Sequence, residues 1–323
     1  MEKSEDNLIA WISERTRSQP GTSDIPIGIG DDMAMIRTPV GEVLLTCDML
    51  MDGVDFDTSK HTPEQIGRKA LAVSLSDCAA MAVRPRWALV SVALPNTWTM
   101  EQAQRLYDGI ESFAQRYEVA IIGGDTNSWN QPLAVDVTLV AEPWPGVKPV
   151  QRSGMKAHDL IIVTGELGGS LAGHHIDFEP RVREAKWLAE KLGSDLHAMI
   201  DLSDGLSTDA HRLAKASNRG IEFGEFSIEL LASKAAIKTS KDDGRTVLDH
   251  VLNDGEDFEL LFAVEPAAWI RLGESSEGQW LLDQKVTPRY RTIGIAEKEP
   301  GVRLKRSNAT ISVIEPRGWQ HFK

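Results

Sequence analysis

Aspartates stand at the places where apolar segments of this chain run into turns, and this recurrence limits the possible folds more than any other feature. Gly28-Ile29-Gly30-Asp31-Asp32, Leu44-Leu45-Thr46-Cys47-Asp48, Leu75-Ser76-Asp77, Ile122-Gly123-Gly124-Asp125 and Ile200-Asp201-Leu202-Ser203-Asp204-Gly205 share the pattern. A carboxylate near a core costs several kcal/mol by order of magnitude, and carboxylates packed together also repel one another. Hard cations answer both problems. Mg²⁺ takes oxygen ligands, keeps some of its waters and is usually shared with substrate phosphates. The pattern therefore implies a site for several metal ions that binds a nucleotide polyphosphate.

At 323 residues the chain has room for two domains with their own cores, and 41% hydrophobic with 26% charged residues is ordinary for a soluble globular protein. The formal net charge of −13 argues against nucleic acid or anionic membranes as partners, since both call for a basic surface. Cys47 and Cys78 are the two cysteines, too few for a disulfide framework and without zinc spacing, so a reducing cytoplasm is expected. The N-terminus shows no address signal, and no run approaches a membrane span.

Strands are expected at residues 43–46, 87–93, 120–122, 133–141, 160–164 and 260–264, where Val, Ile and Leu are bounded by Gly, Pro or Asp. Helices are expected at 62–82, 99–117 and 183–192, the first with Thr62 as N-cap and Pro63 at N1. This is an α/β pattern. Pro143, Pro145, Gly146 and Pro149 followed by Arg152-Ser153-Gly154 read as a linker. The expected division is residues 1–145 and 150–323.

The stretch from Ile66 to Met81 is apolar on nearly every face, which marks a central helix packed on more than one side. Asp77 inside it could pair with Arg68, Arg84 or Arg86; beside the other aspartates, a metal ligand is the stronger reading. Gly123-Gly124 could let backbone N–H groups approach a phosphate, or could form a tight turn. Gly165-Glu166-Leu167-Gly168-Gly169-Ser170 resembles a phosphate loop in outline but has no Walker lysine, so a structural strand-to-helix turn is the simpler reading. His174-His175 reads as a surface pair.

Taken in order, Gly30-Asp31-Asp32, Thr46-Cys47-Asp48, Asp52-Gly53-Val54-Asp55-Phe56, the run from Lys69 to Asp77, Ile122-Gly123-Gly124-Asp125-Thr126, Arg152-Ser153-Gly154, Ile200 to Leu206 and Gly255-Glu256-Asp257-Phe258-Glu259-Leu260 resemble the thiamine-monophosphate kinase family. The wider superfamily includes aminoimidazole ribonucleotide synthetase, selenophosphate synthetase and a hydrogenase maturation factor. The resemblance implies the synthetase-like α/β fold, with N-terminal and C-terminal α/β domains and a homodimer closed through a shared N-terminal barrel. It further implies phosphoryl transfer from ATP to thiamine monophosphate with several Mg²⁺. Asp32, Thr46, Cys47, Asp48, Asp77, Asp125, Asp201 and Asp204 would be metal ligands. Gly124, Asp125, Arg152 and Ser203 would hold ATP, while Asp55, Glu256 and Trp319 would meet the thiamine phosphate. The acceptor is already an anion, so no general base is expected.

The chain departs from the family pattern in several places. Asp55 stands where a histidine is usual and Cys47 where a threonine is; Ser74 replaces asparagine, Asn253-Asp254-Gly255 a glycine pair, and Phe258 a tyrosine. A carboxylate at position 55 would repel an acceptor phosphate unless a cation such as Arg68 or Lys69, or a further Mg²⁺, compensates it. A synthetase using another acceptor and a weak nucleotide-binding paralogue stay open as readings.

Overall fold

Capping chemistry sets the first long helices. In a computed structural model that describes residues 5–16, 22–275 and 290–319, Thr62 caps α2 (Pro63–Ala80) through a reciprocal box with Gln65, and Thr99 does the same for α3 (Met100–Arg116) with Gln102. Each box satisfies two orphan N–H groups. These helices follow α1 (Glu5–Thr16) and cross closely: a Cβ on Gly67 would meet the Leu106 carbonyl oxygen at 2.1 Å, and one on Gly109 the Glu64 carbonyl oxygen at 2.1 Å. Both glycines sit inside helices, where they cost stability, and the close crossing accounts for them.

Two sheets flank α2. Strands β1 (Ala34–Thr38), β2 (Gly41–Met51), β3 (Val83–Pro95), β4 (Ala120–Trp129) and β5 (Ala134–Pro143) form an open sheet in the order β1-β2-β5-β3-β4. The second sheet runs β12-β11-β8-β10-β6-β9-β7, built from β6 (Leu160–Thr164), β7 (Leu196–Asp201), β8 (Gly220–Gly224), β9 (Leu260–Val264), β10 (Tyr290–Glu297), β11 (Gly301–Lys305) and β12 (Ile311–Val313). Around it lie α4 (His174–Asp177), α5 (Val182–Leu192), α6 (Leu206–Ser217), α7 (Glu225–Glu229), α8 (Lys234–Asp243), α9 (Val247–Asn253) and α10 (Pro266–Glu274).

Strand alternation divides the second sheet between two cores. Leu260, Phe262 and Val264 of β9 join one cluster with residues of α2 and the first sheet, while Leu261 and Ala263 join another with Leu206, Leu213 and Phe223. Buried on both faces, β9 reads as an unbroken apolar run. The first core therefore spans both sheets, with α2 inside it. Among the described residues, no helix is long and apolar enough to cross a membrane.

Two expectations change. The strand expected to end at Ile122 continues through Trp129, so Gly123-Gly124 lies within β4 and not in a turn after it. Gly124 has φ +153°, and a Cβ there would meet the Val90 carbonyl oxygen at 1.7 Å, so this glycine serves close contact with β3. The histidine pair is split: His174 is exposed as expected, whereas His175 is buried, its Nδ1 at 3.0 Å from the Ser170 carbonyl oxygen.

Candidate functional site

The C-terminal end of α2 touches both sheets at once. Ser74 and Ser76 lie about 200° apart around the helix, since each residue turns it by roughly 100°. Ser74 accordingly donates to Asp48 Oδ2 of β2 at 2.7 Å, while Ser76 donates to Asp201 Oδ2 at the end of β7 at 2.6 Å. Asp77 accepts a hydrogen bond from Thr46 of β2. Thr46 and Asp48 can both face the helix because side chains two apart share a strand face.

Carboxylate oxygens of Asp32, Asp77 and Asp201 lie within 4.8 Å of one another. Asp32 and Asp201 are buried. Burial raises Asp77 and Asp201 well above the ordinary carboxylate range, and the charges of neighbouring aspartates push the same way. Asp48 is pushed up to about 6, first by burial and then by Asp136 and Asp32, against the hydrogen bond from Ser74. Asp77 also stands near a helix C-terminus whose last turn carries no basic residue, so the helix dipole adds negative potential there. All-oxygen donors, hydroxyls included and without thiolate or imidazole, fit a hard divalent cation.

One cation already approaches from the segment between β5 and β6. Arg152 Nε donates to Asp32 Oδ2 at 3.0 Å and its Nη2 to Oδ1 at 2.7 Å, a bidentate pair. Its backbone N–H meets both oxygens of Asp31 at 3.2 and 3.3 Å. Burial and Asp32 nevertheless push Asp31 up to about 6.

Past Asp201 the chain turns into α6 through Ser203-Asp204-Gly205. Asp209, fully buried, accepts the N–H groups of Asp204 at 3.0 Å and Gly205 at 3.1 Å, while Arg212 reaches Asp204 at 2.5 Å and Asp209 at 2.9 Å. Burial, then Asp204, push Asp209 up to about 7. The carbonyl groups of this turn hold other segments. Ser203 accepts the Glu256 N–H at 2.6 Å, and Asp204 accepts the Trp319 N–H at 2.9 Å. Glu256 and Trp319, expected at the acceptor, thus hang from the loop that carries Ser203 and Asp204.

Glu256 and Phe258 hold left-handed backbone, φ +61° and +50°, a strained choice for non-glycine residues. Stacking of Phe258 on Phe178, with ring centroids 4.0 Å apart, fixes one of them. Lys69 fixes the other: its Nζ donates to Glu256 Oε1 at 2.8 Å and Oε2 at 3.0 Å. Burial raises Glu256, and Lys69 opposes that shift.

The same segment closes the question of the glycine-rich turn. Asp257 accepts the Gly168 N–H at 3.0 and 3.1 Å, Asp254 accepts the Gly169 N–H at 2.7 Å, and Ser170 donates to the Glu256 carbonyl. The N–H groups a phosphate would need are taken by carboxylates, so this is the structural turn of the simpler reading.

Several expected site residues stand apart from the cluster. Strand alternation sets Cys47 on the face of β2 away from Thr46 and Asp48, with its thiol at 3.2 Å from Asp136 Oδ2, and burial raises the thiol. Register lines Asp125 up with Ser91, Asp136 and Met49 across the sheet, on that same outer face, and its carboxylate accepts the Thr126 N–H at 2.9 Å. Gly124, Asp125 and Thr126 line a cavity of about 470 Å³ with Val90, Leu106 and Tyr107. Asp204 pairs with Arg212. Asp55 turns its carboxylate to the Met51 N–H at 2.7 Å, and Lys69 binds its carbonyl oxygen instead. Arg68 is no compensating cation at this place, because it bonds the carbonyl groups of Ile176 and Phe178. Asp209, Arg212 and Asp136 were not singled out in the sequence. Asp209 had a usable signal, an acidic residue in the first turn of a helix after a glycine.

Residues 30–142 match the family described as AIR synthase related protein, N-terminal domain. The match takes in α2, α3 and nearly all of the first sheet. The chain is 41% identical over 275 residues to a thiamine-monophosphate kinase of Rhodopirellula baltica, covering 81% of this chain and 82% of that one. It is 31% identical to the Bacillus subtilis thiamine-monophosphate kinase over 98% of this chain and 99% of the relative. The solved structure of AaThiL complexed with AMPPCP and TMP superposes with a TM-score of 0.80 at 28% identity, covering 99% of this chain and 97% of that one. The chain belongs to the thiamine-monophosphate kinase family.

Proposed function

We propose that this chain transfers the terminal phosphoryl group of ATP to thiamine monophosphate, giving thiamine diphosphate and ADP. The observation that carries the reading is the meeting of Asp32, Asp77 and Asp201, drawn from three separate segments, at one helix end. The names of the relatives, and the nucleotide and TMP bound by the AaThiL structure, support the substrates.

Asp32, Asp77 and Asp201, with Asp48 and Thr46 beside them, would hold Mg²⁺, which when bound neutralises crowded phosphate charge. The protein's own part is alignment. Arg152 and Ser203 would face the phosphates, and Gly124, Asp125 and Asp204, which stand apart from the three-aspartate cluster, would reach the nucleotide and its metals from outside it. Glu256 offers a carboxylate and Trp319 an indole to the thiazolium, a cation that both can attract. Asp55 would lie at the acceptor phosphate, but its carboxylate accepts the Met51 N–H of its own turn, which would lessen the repulsion that its charge causes.

The proposal includes two units, residues 1–145 and 150–323, and a homodimer closed through the first sheet. Support for pairing there comes from apolar side chains left exposed on it, Met49, Leu89, Ile122 and Trp129. Sedimentation at micromolar concentration should give twice the chain mass; a single species of monomer mass would contradict this part. For the reaction, purified protein with ATP, Mg²⁺ and thiamine monophosphate should form thiamine diphosphate and ADP in equal amounts. ATP binding without such turnover would point to another acceptor.

A further inference from the structure

Lys69 is fully buried, at 0% side-chain exposure, and a buried ammonium is tolerated only when its charge and donors are met. An ammonium has three donors. Here they have three acceptors: the two carboxylate oxygens of Glu256 and the carbonyl oxygen of Asp55. Nothing in this geometry leaves a donor over for a ligand. Glu256, by contrast, keeps 21% of its side chain exposed, and a carboxylate has more lone-pair sites than Lys69 uses.

The position of Lys69 along α2 matters as much as its contacts. It lies two turns, roughly 12 Å, before Asp77 on the same helix. The helix end therefore carries the carboxylate cluster, and its middle carries the pin that joins the Asp55 turn to the Glu256 segment. Glu256 needs such a pin, since its backbone is left-handed and its N–H is already committed to Ser203.

We infer that Lys69 is a positioning residue for the acceptor, orienting the Glu256 carboxylate and the Asp55 turn toward a cationic organic ligand of the thiazolium class. The inference rests on the proposed function. It separates Lys69 from an ordinary stabilising pair by asking that its effect fall on one substrate and pass through Glu256.

The test is a double-variant cycle read by steady-state kinetics. Lys69→Met should raise the acceptor KM by about tenfold or more, the loss of a charged hydrogen-bond pair, while the ATP KM stays within about twofold. Glu256→Gln should likewise raise the acceptor KM, and the double variant should be no worse than Glu256→Gln alone, since the two residues act as one unit. Lys69→Gln, which keeps a donor, gives a second series where Lys69→Met does not yield folded protein, and should fall between wild type and Lys69→Met. An unchanged acceptor KM, a parallel rise in both KM values, or a full additional factor on the Glu256→Gln background would each overturn the inference. Wild-type protein inert toward thiamine monophosphate would remove the functional reading beneath it, a failure distinct from these.

Discussion

Two groups of buried acidic residues meet opposite treatment in this molecule. Around the 254–259 segment three acidic residues have a cationic partner from the protein: Glu259 pairs with Arg181, Asp254 with Arg245 at 2.9 Å, and Glu256 with Lys69 at 2.8 Å, while Asp257 between them has the Gly168 N–H and acidic charges around it, and burial raises it. At the end of α2, Asp77 and Asp201 have hydroxyl donors from Thr46 and Ser76, and their strongest charged neighbours are other aspartates. Burial alone does not distinguish the groups. Charge pairing does: Arg181, Arg245 and Lys69 balance the first set, while Asp77 and Asp201, on the proposed function, would take their balance from a cation outside the chain.

Removing a cation from the balanced set should give the largest stability effect. Arg181→Met leaves Glu259 buried without its bidentate partner and should cost roughly 3–5 kcal/mol in urea unfolding, with or without Mg²⁺. A loss below about 1 kcal/mol, the range of surface pairs, would erase the contrast between the two sets. Removing a charge from the unbalanced set should do the reverse. Asp77→Asn should lower turnover by about a hundredfold or more, while metal-free stability holds or rises slightly because repulsion is relieved. Near-normal turnover would take Asp77 out of the site.

The pH dependence sharpens the comparison further. Asp31 and Asp48 are raised to about 6 and Asp209 to about 7, so between about pH 5 and 7 the folded state binds protons that the unfolded chain has released. Stability in chelator should therefore fall as pH rises through that window. His175, lowered to about 4 by burial and by the charge of Lys69, and His174, lowered by burial, work the other way but are two groups against several. Added Mg²⁺ should flatten the slope. A metal-free protein that grows more stable from pH 5 to 7 would show that these carboxylates are not raised.

The smallest effect is expected where Asp55 stands. Asp55→Ala should raise the acceptor KM by only a few-fold and leave the ATP KM alone, because the carboxylate caps Met51 and Lys69 holds the backbone. Equal kinetics with wild type would place Asp55 off the acceptor path.

Local signals told much of this in advance. Thr62-Pro63 marked the start of α2, and the all-round apolar surface of that helix anticipated its place inside a core shared by both sheets. Asp32, Asp77 and Asp201 could be chosen because short polar residues beside apolar runs carry their own cost. What stayed hidden depends on pairing across the chain. Strand register decides that Cys47 and Asp125 face away from Thr46 and Asp48, and no local pattern reports register between β2, β3, β4 and β5. Likewise the donors of Lys69 are met by residues 14 and 187 positions away, so the sequence could name Lys69 beside Arg68 as a cation for Asp55 but not its pairing with Glu256.

The central claim is that the Asp32, Asp77 and Asp201 cluster is a cation site. Calorimetric titration of Mg²⁺ into protein saturated with a non-hydrolysable ATP analogue tests it most directly, with Asp77→Asn beside wild type. Wild type should bind Mg²⁺ beyond the amount that travels with the nucleotide, and Asp77→Asn should lose that extra binding while its melting temperature in chelator is unchanged or higher. Identical Mg²⁺ isotherms for the two proteins would contradict the account.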